Sequence, residues 1–349
     1  MVVLRESTKM LAEAYDVALL DLDGVVYIGP TAVPAAPDAL HGARSTGMRL
    51  AFVTNNAARP PAKVAEHLTE LGIPAVVEEI ITSAQAAADY LATQLPAGAP
   101  VLVVGTTGLI EALQEQGLTP VFSADDHPLA VVQGYSPQLD WHQLAEGAVA
   151  IQAGARWIAT NLDATVPSAR GPLPGNGSMI AALRHATGAE PFSTGKPDPT
   201  MHAVTVQRSG AQHPLVVGDR LDTDIEGANR VGCASLLVLS GVTTPRILLA
   251  APDGQRPDFI ADDVSGLLQS HPETIVDGVG TRCGRWHVES DGDALTLSSA
   301  EARVEERAER ADQLDALRAL AELSWSSGIR SVRSRGDDAA AAVTALDLN

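Results

Sequence analysis

Short apolar runs alternate with helix-length segments along most of this chain, and that alternation is its strongest constraint. Residues 17–20, 49–53, 101–104, 129–132, 156–159, 215–217 and 235–239 read as strands. Between them, helices are expected over 39–45, 107–116, 139–153, 200–208 and 225–231. Strands separated by helices build a parallel sheet with crossover connections, so the fold class is α/β. In such sheets ligands bind beyond the carboxyl ends of the strands, and the residues at those tips therefore carry the most information.

The tips are polar. The first strand runs into Asp21-Leu22-Asp23-Gly24, the second into Thr54-Asn55-Asn56, and the strand at 215–217 into Gly218-Asp219-Arg220-Leu221-Asp222-Thr223-Asp224. Gly195-Lys196-Pro197-Asp198-Pro199 precedes a helix, which puts a cation beside free backbone N–H groups, an arrangement that suits an anion. Asp21 and Asp23 share a side only if strand geometry continues past Leu20. Two crowded carboxylates repel unless a cation lies between them or one takes a proton. Each feature has a plain alternative. The acid pair also reads as a polar turn, Lys196 as a solvated surface lysine, and Asp222 or Thr223 as the cap of the helix that Gly232 ends. Capping accounts for one acid in the 219–224 cluster and leaves the others unexplained.

Taken together, acids from two tips make an oxygen-rich set of the kind hard Mg²⁺ prefers. A partnered Ser, His or Cys nucleophile is not apparent, and the nine histidines form neither HxH nor HExxH. Phosphoryl transfer, in which positioning and charge neutralisation dominate, fits this residue set.

A formal net charge of -19 disfavours nucleic acid or an anionic membrane as partner, while leaving room for a small phosphorylated substrate in a locally basic pocket. No apolar run approaches the ~20 residues of a membrane-spanning helix, and no N-terminal signal region is seen, so a cytoplasmic protein without membrane insertion is expected. The two cysteines, Cys233 and Cys283, have no metal-binding spacing.

The chain divides into segments. From about Ile81 to Thr187 the alternation continues as a second block, and after about residue 270 the chain changes character. The loop from Ala164 to Gly177 is rich in Pro and Gly; it is either a lip over a pocket or a surface connection. The extension reads as a hairpin, 286–289 and 295–297 around Asp291-Gly292, followed by a charged helix over 301–323. One apolar stripe on that helix comprises Val304, Ala308, Ala311, Leu314, Leu317 and Leu320. Residues from Gly336 are expected to fray.

DLDG at 21–24, TNN at 54–56, Lys196 in GKPDP and GDRLDTD at 218–224 occur in an order that resembles the four-motif signature of haloacid dehalogenase (HAD) superfamily phosphatases. The long insertion and the ATNLD and PGNGS runs resemble the NagD-like subgroup. The resemblance spans roughly residues 14–265 and implies a Rossmann-like core, residues 1–80 and 188–270, under an inserted α/β cap of C2 type, residues 81–187, with 271–349 as a small α+β extension. It implies that Asp21 is the nucleophile and Asp23 the general acid and base. Mg²⁺ would be held by Asp21, the Asp23 carbonyl and Asp219, with Asp224 in support, either through water or by orienting Lys196. Thr54, Asn55 and Lys196 would bind the phosphoryl group, with Asn56 supporting; in the 161–178 loop, Arg170 and Asn176 are either cap contacts to the substrate or plain surface residues. A core followed by such a tail resembles phosphatases acting on D-glycerol 3-phosphate. Phosphoglycolate, pyridoxal phosphate and nucleotide monophosphates are the rival substrates.

Rival functions also follow. A dehalogenase needs one Asp and no metal, which Asp23 and Asp219 argue against, and a P-type ATPase needs membrane spans. A regulatory protein would use the tail as its binding module. The tail is expected instead to pack on the inserted domain or to make a homodimer, because Trp286 and the leucines need burial.

Overall fold

The computed structural model describes residues 4–166, 170–278, 280–299 and 309–349. Backbone contacts divide the chain into two compact units, Met1–Ile28 with Ala32–Leu50 and Ala211–Asn349, and Gly29–Thr31 with Ala51–Gly210.

The fold class is α/β. A six-stranded sheet has the order Phe259–Ala261, Ala234–Val238, Pro214–Gly218, Val17–Leu20, Arg49–Thr54, Ile80–Thr82. Its registers between Val17–Leu20 and Pro214–Gly218, and onward to Ala234–Val238 and Phe259–Ala261, are parallel. Val17–Leu20 is buried along its whole length, as a central strand covered on both faces must be. The strand Ile80–Thr82 escapes a pattern search because it has only three residues before the helix Ser83–Gln94 begins. Thr82 and Gln85 close a capping box there, with Gln85 N–H donating to Thr82 Oγ1 at 3.2 Å.

A second sheet is wholly parallel, in the order Phe192–Ser193, Arg156–Ala159, Ala130–Gln133, Pro100–Val104, Thr119–Val121. The helices Thr107–Glu115, Trp141–Gln152 and Asn176–Thr187 accompany it. Its two faces are lined by separate apolar clusters. Val101, Val103, Val132 and Ile158 belong to one, and Leu102, Val104, Val131 and Trp157 to the other. The alternation along each strand makes both faces apolar.

A third, mixed sheet is formed by Thr274–Val276, Gly280–Cys283, Trp286–Ser290, Leu295–Ser299 and Val332–Arg335. Its first three pairings are antiparallel and its last is parallel. The expected hairpin is present, turning at 291–294. Two departures from the sequence reading, the extra burial of the long helix and the order of the last segment, share one cause, burial by this sheet. The helix runs over Glu309–Ser327, and the stripe positions Val304 and Ala308 lie outside the described residues. That helix is buried well beyond one stripe, with Asp312, Asp315, Arg318 and Glu322 each at most 6% exposed. The segment expected to fray is the helix Asp337–Ala345, docked through Ala339, Ala342 and Val343.

Charged residues tolerate such burial only when paired. Arg318 bonds Asp315 at 2.8 Å and donates to the Ile260 carbonyl at 2.5 Å. Arg285 bonds Asp312 and Asp338 and lies 4.4 Å above the Trp286 ring, whose Nε1–H donates to Asp312.

His271 is buried at 3% exposure, with Nε2 3.0 Å from the Gly266 carbonyl and its ring edge-on to Phe259. Burial lowers its pKa to about 4 from 6.5, since the charged ring would lose hydration. The unfolded chain therefore binds a proton that the folded chain refuses between those values. The contribution to stability is complete above pH 6.5 and is lost as pH falls toward 4, by roughly 3 kcal/mol in all. Urea melts from pH 7.5 to 4.5 should show this decline, and His271→Gln should flatten it. A variant with the same slope as the parent would remove His271 as its source.

Candidate active site

In the first unit, the register pairs Leu20 with Val217, so the tips of two neighbouring strands emerge side by side. Asp21 N–H extends the ladder by one bond, to the Val217 carbonyl at 2.9 Å. Strand geometry stops there. Leu22 is buried, Val26 N–H returns to the Leu22 carbonyl at 2.9 Å, and Gly24 turns the chain at φ +88°. Asp21 is half-buried, while Asp23 is exposed and lies outside the carboxylate group formed by Asp21.

That group comprises Asp21, Asp219 and Asp224, each offering an oxygen within 4.8 Å of the others. Asp219 and Asp224 are both 1% exposed. Glycines make the room: a Cβ on Gly24 would lie 2.5 Å from Asp219 Oδ2, and one on Gly241 or Gly218 would overlap the carboxylates of Asp219 and Asp224 respectively. The neighbouring strand Ala234–Val238 leads to a tip that floors the site. There Val242 N–H donates to Asp219 Oδ2 at 2.7 Å, Thr243 N–H to the Asp219 carbonyl at 3.1 Å, and Ser240 Oγ to the Gly24 carbonyl at 2.6 Å.

The expected cap on the next helix is absent. The chain enters that helix through a π turn, Leu221–Ile225, and neither Asp222 nor Thr223 caps it. Asp222 pairs outward with Arg220, whose hydrogen bonds hold its carboxyl below the usual range against the opposing effect of burial. Asp224 Oδ2 accepts the Arg220 N–H at 3.2 Å. The wider turn swings Asp224 back toward the strand tip, a placement that a regular helix pattern does not anticipate.

Three ionised carboxylates at this spacing repel by about 3 kcal/mol per pair at an effective dielectric near 20. A divalent cation turns that repulsion into coordination, and an all-oxygen donor set matches Mg²⁺ or Ca²⁺. The residues present therefore fit the metal that the sequence implies.

In the second unit, Thr54 ends its strand 3% exposed and its Oγ1 accepts the Asn56 N–H at 3.1 Å. Asn56 Oδ1 in turn accepts the Ala58 N–H at 2.8 Å. Asn55 clamps the main chain of Lys196 from both sides: its Oδ1 accepts the Lys196 N–H at 2.9 Å, and its Nδ2 donates to the Lys196 carbonyl at 3.2 Å. Lys196 is no solvated surface lysine. It is 4% exposed and its Nζ donates to the Val53 carbonyl at 3.2 Å. Asp198 caps the helix Pro199–Ser209 that follows, bonding the Thr200 N–H at 2.9 Å.

Three residues outside the expected set hold Asn55. Ser83 Oγ and Asn161 Nδ2 donate to its carbonyl at 2.6 and 2.7 Å, and Asp163 Oδ2 accepts from its amide at 3.3 Å. Asn161 and Asp163 lie in the ATNLD run that follows a strand and Ser83 opens a helix, but nothing in the sequence ties them to Asn55. Asn176, expected on the 161–178 loop, begins the helix Asn176–Thr187 and is 1% exposed. Its amide donates to the carbonyls of Asn161 and Gln133 at 2.8 and 3.3 Å, so it joins main-chain segments from within. Arg170 is exposed.

Residues 18–119 match the family model for haloacid dehalogenase-like hydrolases, and residues 193–267 match the HAD-hydrolase-like model. D-glycerol 3-phosphate phosphatase of Mycobacterium tuberculosis is 47% identical over 289 residues, which cover 83% of this chain and 80% of that protein. Acid sugar phosphatase of Staphylococcus aureus is 38% identical over 66% of this chain and 88% of its own. The crystal structure of glycerol phosphate phosphatase from Mycobacterium tuberculosis in complex with magnesium superposes with a TM-score of 0.89 at 41% identity, covering 98% of this chain and 99% of that one. A p-nitrophenyl phosphatase from Archaeoglobus fulgidus gives 0.68 at 30% identity, over 73% and 98%.

Proposed function

Because this chain belongs to the haloacid dehalogenase-like hydrolases, we propose that it is a Mg²⁺-dependent phosphomonoesterase that releases glycerol and phosphate from D-glycerol 3-phosphate. The observation that carries the reading is the carboxylate group of Asp21, Asp219 and Asp224, two of its three acids buried. The likeness to phosphatases over nearly the full chain supports it, and the substrate rests on the 47% identical relative.

Asp21 attacks phosphorus in line, forming an Oδ–P bond as the ester P–O bond breaks. Asp23 gives its proton to the departing alkoxide. It then takes one from the water whose oxygen attacks phosphorus, and the Asp21–phosphorus bond breaks to release inorganic phosphate. Thr54, Asn55 and Lys196 bind the phosphoryl oxygens, and Asn56 shapes that turn. Asp21, Asp219 and the Asp23 carbonyl would hold Mg²⁺, with Asp224 supporting. When bound, the ion supplies charge neutralisation for the phosphoryl group and favours the ionised form of Asp21.

The same reading treats 1–80 with 188–270 as the catalytic core, 81–187 as the cap that selects substrate, and 271–349 as an extension. Arg170 is the proposed cap contact, with Asn176 acting through the fold. Among the described residues no helix is long and apolar enough to cross a membrane. A cytoplasmic location and a homodimer belong to the proposal, and light scattering tests the dimer.

A phosphate-release screen tests the substrate. D-glycerol 3-phosphate should be turned over faster than phosphoglycolate, pyridoxal phosphate or a nucleotide monophosphate, and excess chelator should stop the reaction until Mg²⁺ is restored. Another ester in first place would overturn the substrate assignment, and full activity in chelator would overturn the metal role.

A further inference from the structure

The short helix Pro245–Leu249 begins directly after the tip, residues 240–243, that floors Asp219. Three groups grip it. Trp325 Nε1–H donates to the Leu248 carbonyl at 2.8 Å, and Ser324 Oγ lies 2.8 Å from the Leu249 carbonyl, shared with that of Ile329. Arg246, on the helix itself, donates to the carbonyls of Asp347, at 2.8 Å, and Asn349. The last carbonyls of a helix have no partners within it, so the side chains that reach them fix where it sits. Trp325 is a specific choice for this task, because its indole offers one donor on a rigid ring and the ring is 8% exposed in the apolar cluster.

The same cluster reaches the other side of the site. Leu221 and Ile225, which bracket the π turn carrying Asp224, are 4% and 0% exposed in a core shared with Trp286, Leu314, Leu317 and Leu320. Side chains from beyond residue 271 thus bear on both segments that aim the buried acids.

We propose that the C-terminal segment is a positioning element for the divalent-cation site. Trp325 and the Arg246 contacts hold the helix 245–249, that helix sets the tip at 240–243, and the tip sets Asp219. Trp325 and Arg246 are positioning residues that touch neither ion nor substrate. The proposal rests on the reading of Asp21, Asp219 and Asp224 as the cation site.

The test is Mn²⁺ binding to the full chain, read by the electron paramagnetic resonance signal of the free ion. Trp325→Phe keeps the ring and removes the donor; Arg246→Ala removes an exposed side chain. Each should raise the Mn²⁺ dissociation constant about fivefold, less than the roughly 10–100-fold lost when a group bonded directly to a metal ligand is removed. The KM for the phosphomonoester at saturating Mg²⁺ should stay within about twofold, since this arm does not touch the phosphoryl-binding residues. A wild-type chain that binds no Mn²⁺ would remove the cation reading and this inference with it. Wild-type binding that Asp219→Asn abolishes and both variants leave unchanged would sink this inference alone. Should Trp325→Phe not fold, Arg246→Ala decides by itself.

Discussion

Asp21→Asn is expected to lower phosphate release by about 10,000-fold or more while leaving the fold intact. A carboxamide has no lone pair of comparable nucleophilicity, so no aspartyl-phosphate forms and Asp23 has no departing alkoxide to protonate. The fold should survive for a structural reason. Asp21 is half-buried, and its N–H bond to the Val217 carbonyl is unchanged by the substitution. Removing one of three neighbouring charges also relieves repulsion, so the metal-free variant should melt at or above the parent's temperature. Circular dichroism and a phosphate assay on the same sample decide the matter. Activity within a few-fold of the parent would reassign the nucleophile, and a collapsed spectrum would make Asp21 structural.

Truncation after Ser270 is expected to be as severe, for stability. The cut removes Trp286, Val288, Leu295, Leu297, Leu314, Leu317 and Leu320 from a cluster that also contains Leu237, Leu248, Leu249 and Ile260 of the retained chain. Fully burying each such side chain contributes roughly 1.5–3 kcal/mol, so losing seven, about 10–20 kcal/mol, matches the whole stability of an ordinary domain. The cut also leaves the carbonyls of Leu248 and Ile260 without the donors Trp325 and Arg318. The fragment should appear in the insoluble fraction. A soluble, monodisperse 1–270 fragment with parental activity would show that the extension is a separate module.

The sequence and the fold agree best where one local pattern decides the outcome. Strands of four or five apolar residues ending in Asp, Thr or Asn are legible because burial and tip chemistry are written in neighbouring letters. Asp21, Thr54 and Asp219 fall at those tips. Tertiary choices are less legible. Nothing in LDTDI distinguishes a π turn from a capped α-helix, and the difference decides whether Asp224 faces the other acids or solvent. The burial of the charged residues of the helix Glu309–Ser327 is not legible because their partners lie outside the helix: Arg285 for Asp312, the Ile260 carbonyl for Arg318, and the Leu4 N–H for Glu322. Lys196 is misread alone for the same reason, its partners Asn55 and Val53 lying some 140 residues away.

The five-stranded parallel sheet of the inserted segment carries its own apolar interior on both faces, drawn from residues 57 to 189. On the proposed reading of 81–187 as the segment that selects substrate, mutations there are expected to be answered within that interior. On that reading descent retunes what such an enzyme accepts without relearning how it breaks the bond, and libraries confined to that segment should yield altered preferences at a high rate of folded clones.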